Sequence, residues 1–200
     1  MTFCLGLTGS IGMGKSTTAG FFAEAGIPVW DADAAVRRLY EPGGAAALAI
    51  AAHYPGAISP DGGVLRPVLR DMIRADPAVL DWLNATVHPL TAADRARFLQ
   101  DHADAPIVLL DIPLLYETGA DAGCDAVVVV SAPAATQRAR VLARGEMSEA
   151  DFQTILARQL PDAEKRARAD YLIETTTLEA ARAAVKDVLT DIRRKTAQHA

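Results

Sequence analysis

Residues 9–16 of the chain read GSIGMGKS, which has the spacing GxxxxGK[ST] of a phosphate-binding loop. The glycines let successive backbone N–H groups turn into one concavity, and a helix beginning near Lys15 adds the positive end of its dipole. Lys15 would then contact the β- and γ-phosphates of a nucleoside triphosphate, and the Ser16 hydroxyl would help to hold Mg²⁺. The sequence therefore predicts that this loop binds a nucleoside triphosphate together with Mg²⁺.

Three aspartates that follow predicted strands carry the remaining candidate chemistry. Asp31 and Asp33 come after the apolar run 27–30, and Asp111 closes the run 107–110. Phosphoryl transfer to an alcohol needs a group that accepts the hydroxyl proton, so we predict that Asp33 is the base. Asp31 would belong to the Mg²⁺ shell or support Asp33 by a hydrogen bond, and either aspartate could instead cap the next helix. Asp111 has the context of a Walker B carboxylate that holds Mg²⁺, with a structural role at the strand end as the alternative.

Five short apolar runs alternate with helical segments along the chain. This alternation predicts an α/β fold with a parallel five-stranded sheet flanked by helices. The predicted strands are 3–7, 27–30, 107–110, 126–130 and 171–173. Right-handed crossovers place the carboxyl ends of such strands along one edge of the sheet, where ligands bind.

Two long stretches interrupt the alternation, and we predict a single domain with two insertions. The core is expected to comprise residues 1–38, 105–133 and 169–200. The first insertion, 39–104, is predicted to be helical, with helices at 45–53, 67–73, 78–86 and 91–100. The second insertion, 134–168, carries several arginines, among them Arg138, Arg140 and Arg144. Such positive charge opposite a phosphate loop indicates a lid that closes over the nucleotide, and a solvated helix face is the alternative.

The composition restricts the possible partners. The formal net charge is −5, so the chain has no overall basic field that would hold a nucleic acid. No uncharged apolar run is long enough to cross a bilayer, and the chain does not open on a basic segment followed by an apolar one. We therefore expect no nucleic-acid and no membrane partner, and a cytoplasmic location. The sequence does not indicate an oligomeric state.

These motifs resemble the dephospho-CoA kinase family over nearly the whole chain. The residues that carry the resemblance are the run 7–17 (LTGSIGMGKST), Asp31-Ala32-Asp33 with Arg37, His88-Pro89, the run 113–117 (PLLYE), and Gln137, Arg140, Arg144 and Gln159. The run PLLYE is the most specific of them. The resemblance implies a P-loop kinase that uses ATP and Mg²⁺ to phosphorylate the ribose 3′-hydroxyl of dephospho-CoA, giving coenzyme A. ATP and dephospho-CoA are then the expected small-molecule partners.

The resemblance also implies a role for each matching residue. The residues expected to bind ATP are Gly9, Gly12, Met13, Gly14, Lys15, Ser16, Thr17 and Arg144. The residues expected to bind the acceptor are Asp33, Arg37, His88, Pro113, Leu114, Leu115 and Glu117. The resemblance implies that Arg140 is a lid arginine, which we expect to be catalytic together with Lys15 and Asp33. The metal ligands expected from the loop and the strand ends are Ser16, Asp31 and Asp111.

Alternatives stay open for two of these residues and for the function. A histidine before a proline is often a helix cap or a packed surface residue, so His88 has a structural alternative. Glu117 could close the turn with its aliphatic stem or bond a donor on the acceptor. Thr175 stands where the family usually has asparagine near the adenine of ATP. The alternative functions are a kinase of another small alcohol or nucleotide, and a nucleotide-gated binding protein.

Overall fold

The computed structural model describes residues 2–145 and 147–198, which form two compact units. The first unit extends to Trp30 and resumes at His102, and the second unit is Asp31–Asp101. The helices are α1 (Lys15–Glu24), α2 (Ala32–Tyr40), α3 (Ala45–His53), α4 (Arg66–Ala75), α5 (Ala78–Asp101), α6 (Ala134–Ala143), α7 (Glu149–Leu156), α8 (Asp162–Arg168) and α9 (Leu178–Ala197). Short 3₁₀ turns lie at Pro55–Ala57 and Ala120–Gly123.

The sheet has five strands, as the apolar runs predict. They are β1 (Phe3–Thr8), β2 (Val29–Asp31), β3 (Ile107–Asp111), β4 (Ala126–Ser131) and β5 (Tyr171–Glu174). Their order is β2-β3-β1-β4-β5, and β1 pairs in parallel with both β3 and β4, as β4 does with β5. The predicted α/β fold with a parallel five-stranded sheet and flanking helices is confirmed.

The second strand begins later than predicted, at Val29 instead of Ile27. Pro28 has no N–H to donate to a neighbouring strand, and only its carbonyl is used, by the N–H of Leu109 at 2.9 Å. The N–H of Ile27 donates to the carbonyl of Phe22, 3.1 Å away, and so belongs to the end of α1.

The core of the first unit lies between one face of the sheet and helices α1 and α9. Alternate residues of β1 and β4, such as Leu5 and Val128, are fully buried there against Phe22 of α1 and Ile192 of α9. Burial of β4 over its whole length, and of β1 from Leu5 onward, explains why both read as continuous apolar runs. This packing holds the carboxyl end of β1, and the loop that follows it, in a fixed frame.

The second unit has a smaller core, in which Ile50, Leu69 and Leu83 are buried. Its longest helix, α5, differs from the prediction of two helices at 78–86 and 91–100, because it continues through Pro89. A proline removes the hydrogen bond to the carbonyl four residues earlier. Ala85, which loses that bond, is exposed, so water can reach its carbonyl and the helix need not end. Within the described residues, no helix combines the length and apolar character needed to cross a membrane.

Candidate active site

The phosphate loop joins β1 to α1 and leaves the start of that helix open. The N-cap residue of α1 is Gly14, with φ +88°, and no side chain caps the helix. The first N–H groups of α1 are therefore available to an anion, and the helix dipole favours one there. Lys15 is the first residue of the helix, and the exposed Ser16 and Thr17 follow it.

Two glycines of the loop are required by close packing as well as by backbone conformation. Gly12 has φ +76°, and a Cβ on it would lie 2.6 Å from Cγ2 of Val141 and 3.0 Å from the carbonyl oxygen of Gln137. A Cβ on Gly14 would lie 3.0 Å from Oγ1 of Thr175. The loop is thus packed against α6 on one side and against the residue after β5 on the other.

Lys15 forms an ion pair with Asp111, the last residue of β3. Its Nζ lies 2.6 Å from Oδ1 of Asp111, and the two side chains are 14% and 4% exposed. An unpaired carboxylate at this depth would be costly, so Lys15 stabilises the charge of Asp111. The structure brings together two residues that the sequence analysis assigned separately to phosphate and to metal binding.

The PLLYE turn after β3 is held at both ends. The Thr8 hydroxyl donates to the carbonyl of Pro113 at 3.0 Å. Oε1 of Glu117 lies 2.7 Å from Nζ of Lys165, which is fully buried, and accepts the N–H of Leu160 at 2.8 Å. Burial raises the pKa of Glu117, but the bonds from Lys165 and Leu160 outweigh it and leave that pKa below its ordinary value. Glu117 is therefore charged at neutral pH and joins the turn to α8.

Within the same turn, two leucines differ in exposure. Leu114 is 41% exposed, whereas Leu115 is fully buried. Leu114 is therefore the apolar side chain of this turn that a ligand can reach.

Arg140 and Arg144 line one cavity of about 330 Å³ beside the phosphate loop. Arg140 donates through Nη1 to Oγ1 of Thr175 at 3.0 Å and through Nη2 to the carbonyl of the same residue. The Thr175 hydroxyl in turn donates to the carbonyl of Met13 at 2.7 Å. Thr175 thus links Met13 of the loop to Arg140 of α6, a role that the sequence analysis missed. The one sign of this role in the sequence was that residue 175 is threonine, where the family usually has asparagine.

Met13, a predicted ATP-binding residue, is buried, and its side chain faces away from solvent. Its Sδ accepts the N–H of Ala132, after β4, at 3.1 Å. The Met13 side chain is thus packed inside the protein and does not face a ligand.

Two glutamine side chains contact the phosphate loop at Ile11. Gln159 accepts the N–H of Ile11 at 3.0 Å, and Gln137 donates to its carbonyl at 2.7 Å. The sequence analysis quoted both glutamines as family matches without assigning them a role. Hydrogen bonds from side chains to distant backbone atoms leave no pattern in a sequence that would reveal them.

The remaining predicted site residues lie in the second unit. Asp31 caps α2, since its Oδ1 accepts the N–H of Ala34 at 2.9 Å, and its Oδ2 lies 3.7 Å from Nη2 of Arg37. Asp33 is exposed in the first turn of α2. His88 is exposed on α5, in mid-helix and not at a helix end. Asp31 therefore makes the helix-capping contact that the sequence analysis gave as an alternative. The carboxylate of Asp33 is open to solvent.

Mg²⁺ in kinase sites is usually held by one or two protein ligands together with substrate phosphates and water. Residues 2–145 and 147–198 contain no cluster of three or more His, Cys, Asp or Glu side chains placed to hold a metal ion. Ser16 and Asp111 offer a hydroxyl and a carboxylate, which are oxygen ligands of the kind that Mg²⁺ prefers. These residues fit an ion that arrives with a nucleotide.

The dephospho-CoA kinase family model matches residues 3–180 of the chain. The dephospho-CoA kinase of Cereibacter sphaeroides is 63% identical over 191 residues, 96% of this chain and 96% of that protein. That of Ruegeria pomeroyi is 56% identical over 193 residues, 96% of this chain and 97% of that protein.

Two solved structures are similar to this chain in fold. The structure of TT1252 from Thermus thermophilus is 34% identical and has a TM-score of 0.80, covering 95% of this chain and 97% of that one. The dephospho-CoA kinase of Campylobacter jejuni, at 19% identity and a TM-score of 0.67 over 96% of this chain and 97% of that one, shares the fold. The predicted P-loop kinase fold is thus confirmed, and the chain belongs to the dephospho-CoA kinase family.

Proposed function

We propose that this chain carries out the reaction of its family with the phosphate loop, Asp33 and Arg140 as its central parts. The reaction transfers the γ-phosphoryl group of ATP to the ribose 3′-hydroxyl of dephospho-CoA. The observation that carries this proposal is the match to the family model over residues 3–180, which includes both the loop and the PLLYE turn.

ATP would bind with its phosphates on the loop and its nucleoside in the adjacent cavity. The open start of α1 and the backbone of residues 9–17 supply N–H donors for the phosphates. The cavity of about 330 Å³ is bordered by Gly12, Thr17 and Leu178 and by the two cations Arg140 and Arg144, which combine apolar contact with positive charge. Thr175 lines this cavity, but its hydroxyl already donates to the carbonyl of Met13. The adenine base would therefore contact the other residues that line the cavity.

Lys15 would move from Asp111 to the β- and γ-phosphates when ATP binds. The Lys15 side chain is only 14% exposed and already lies at the loop, so a small displacement would bring its ammonium to a phosphate oxygen. Asp111 is then available, with Ser16, to hold Mg²⁺, which offsets the charge of the phosphates when bound. Asp31 would contribute through a water molecule, because Oδ1 of its carboxylate is already used as a helix cap.

Asp33 would accept the proton of the acceptor hydroxyl as the oxygen attacks phosphorus. Its exposed carboxylate supports this assignment, since the group carries no capping bond comparable to that of Asp31. Arg37 and His88 are the proposed acceptor-binding residues of the second unit, and Pro113, Leu114 and Leu115 are those of the first unit. Glu117 would act on acceptor binding through the turn, because its carboxylate bonds Lys165 and Leu160.

The insertion 39–104 would bind the acceptor, and the segment 134–168 would act as the lid of a single kinase domain. The compact unit Asp31–Asp101, with its own core, supports an inserted acceptor-binding element. Arg140 supports the lid assignment because it lines the nucleotide cavity and needs only to leave Thr175 to meet the transferred phosphoryl group.

The proposal is tested by incubating the purified protein with ATP, Mg²⁺ and a panel of acceptors, and identifying products by mass. We expect dephospho-CoA to gain one phosphoryl group far faster than adenosine, shikimate or a nucleoside monophosphate. Omitting Mg²⁺ should abolish the product. Equal turnover of another acceptor would refute the substrate assignment.

A further inference from the structure

The peptide groups on both sides of Ile11, within the phosphate loop, are held by side chains from outside the loop. The N–H of Ile11 donates to Oε1 of Gln159 at 3.0 Å, and its carbonyl accepts from Nε2 of Gln137 at 2.7 Å. Gln137 lies in α6 and is 4% exposed, and Gln159 follows the end of α7. A single loop residue is therefore bonded by both ends of the segment that contains α6 and α7.

Ile11 is the second residue of a tight turn. The N–H of Met13 donates to the carbonyl of Ser10 at 3.1 Å, which closes a four-residue turn from 10 to 13. Gly12, its third residue, has φ +76°, the value typical of a type II turn. Types I and II differ mainly in the direction of the central peptide group, here that of Ile11 and Gly12. The conformation of the loop therefore depends on which way this peptide group faces.

The glutamines hold that direction. The described residues contain no cis peptide bond, so the carbonyl of Ile11 and the N–H of Gly12 point to opposite sides of their peptide group. A bond from Gln137 to the carbonyl thus turns the N–H of Gly12 away from α6. Gln159 fixes the direction of the preceding peptide group, which joins Ser10 to Ile11. It accepts the N–H of this group, whose carbonyl accepts the N–H of Met13.

We propose that Gln137 and Gln159 are positioning residues for phosphoryl transfer. They hold the Ile11–Gly12 peptide in the orientation that presents the N–H of Gly12 to a phosphate, and they couple the segment 134–168 to the loop. This inference rests on the ATP site proposed above. It assigns neither glutamine a contact with ATP.

Gln137 donates its hydrogen bond to Ile11, whereas Gln159 accepts one from Ile11, and this difference provides a matched test. Gln159→Glu keeps an oxygen that can accept the N–H of Ile11, whereas Gln137→Glu replaces the donor with a carboxylate that repels the Ile11 carbonyl. Both variants add one negative charge beside the same residue, so general repulsion of ATP is common to both. The two sites differ in burial, since Gln137 is 4% exposed and Gln159 is half-buried, so the neutral pair described next checks the hydrogen bond without an added charge.

The Kd for ATP with Mg²⁺ is measured by calorimetry, and KM and kcat by steady-state kinetics. We expect Gln137→Glu to raise the Kd at least about tenfold more than Gln159→Glu does, since the partly buried carbonyl of Ile11 loses its donor and faces a carboxylate instead. A neutral pair gives an independent measurement. Gln159→Leu should raise the Kd by roughly threefold or more. Gln153→Leu should not, because the side-chain amide of Gln153 donates to Glu149 on the same helix, α7.

Thermal unfolding is recorded for every variant. If Gln137→Glu does not fold, the comparison of Gln159→Leu with Gln153→Leu decides. Equal Kd values for the two glutamate variants, with Gln159→Leu binding ATP like the parent, would overturn the proposal. The calorimetric Kd needs no acceptor, so a parent that binds ATP without phosphorylating dephospho-CoA would refute the substrate assignment and leave the role of the glutamines measurable. A parent that does not bind ATP would overturn both.

Discussion

Replacement of Lys165 by methionine should destabilise the protein far more than loss of a surface lysine. The Lys165 side chain is fully buried, and its Nζ lies 2.7 Å from Oε1 of Glu117, whose side chain is 16% exposed. Removing one partner of a buried ion pair typically costs about 3–5 kcal/mol, because the other charge stays buried. Glu117 keeps the N–H of Leu160 and some access to water, so we expect the lower end, about 3 kcal/mol. For a chain of this size that lowers Tm by roughly 6–12 °C.

The measurement is a double-mutant cycle in urea or thermal unfolding, with Lys186→Met on the exposed side of α9 as the matched control. Glu117→Gln should also destabilise, because it leaves Lys165 buried without its carboxylate. The double variant removes both charges and keeps an oxygen for Leu160, so it should be more stable than the sum of the single effects predicts, by at least about 1.5 kcal/mol. If Lys165→Met differs from Lys186→Met by less than about 0.5 kcal/mol, the pair does not stabilise the fold.

The same pair predicts a dependence on pH. The pKa of Glu117 is lowered in the folded protein, so its contribution is fully present above the ordinary value of 4.5 and is lost as pH falls through the folded pKa. The difference in unfolding free energy between the parent and Lys165→Met should therefore be largest near neutral pH and shrink below 4.5. A difference that stays constant down to acidic pH would show that lost packing, and not lost charge pairing, is responsible.

Three further substitutions test the proposed catalytic parts. Lys15→Ala should lower turnover at least about a hundredfold and also lower Tm, since it removes the ammonium that forms an ion pair with the buried carboxylate of Asp111. Adding Asp111→Asn should restore Tm but not turnover, as activity assays with thermal scans will show. Asp33→Asn should lower kcat about a hundredfold or more with the calorimetric Kd for ATP unchanged, and near-parental turnover would instead indicate a positioning role. Arg140→Ala should lower turnover at least about tenfold, equivalent to roughly 1.4 kcal/mol in the barrier, and full activity in the kinetic assay would refute its place in the lid.

Local patterns were enough to predict the sheet and the phosphate loop. The strands are short apolar runs, of which β3 and β4 are buried along their whole length, and the loop has its spacing of glycines and Lys15. Helix α5 was predicted in two parts because Pro89 is a local signal for a break. The exposure of Ala85, which makes the break unnecessary, depends on tertiary packing that the sequence does not show.

The contacts of the site were less predictable than its residues. Asp111 was predicted from its position after an apolar run, but its ion pair with Lys15 joins residues 96 positions apart. Gln137, Gln159 and Thr175 act on backbone atoms of the loop, and any polar residue of suitable length could have done so elsewhere. Residue type alone therefore indicates the chemistry available to the chain, while the partner of each group depends on the fold.

Two lysines have different roles at the two ends of the segment that contains the PLLYE turn. Lys15 and Lys165 pair with carboxylates at the two ends of one segment, Asp111 and Glu117. Lys165 is fully buried in its ion pair with Glu117, so we expect its end of the segment to stay in place. In the proposed mechanism Lys15 leaves Asp111 for the phosphates of ATP, and Asp111 then holds Mg²⁺. The buried carboxylate would thus be neutralised both before and after nucleotide binding, which avoids the large cost of an isolated buried charge in either state.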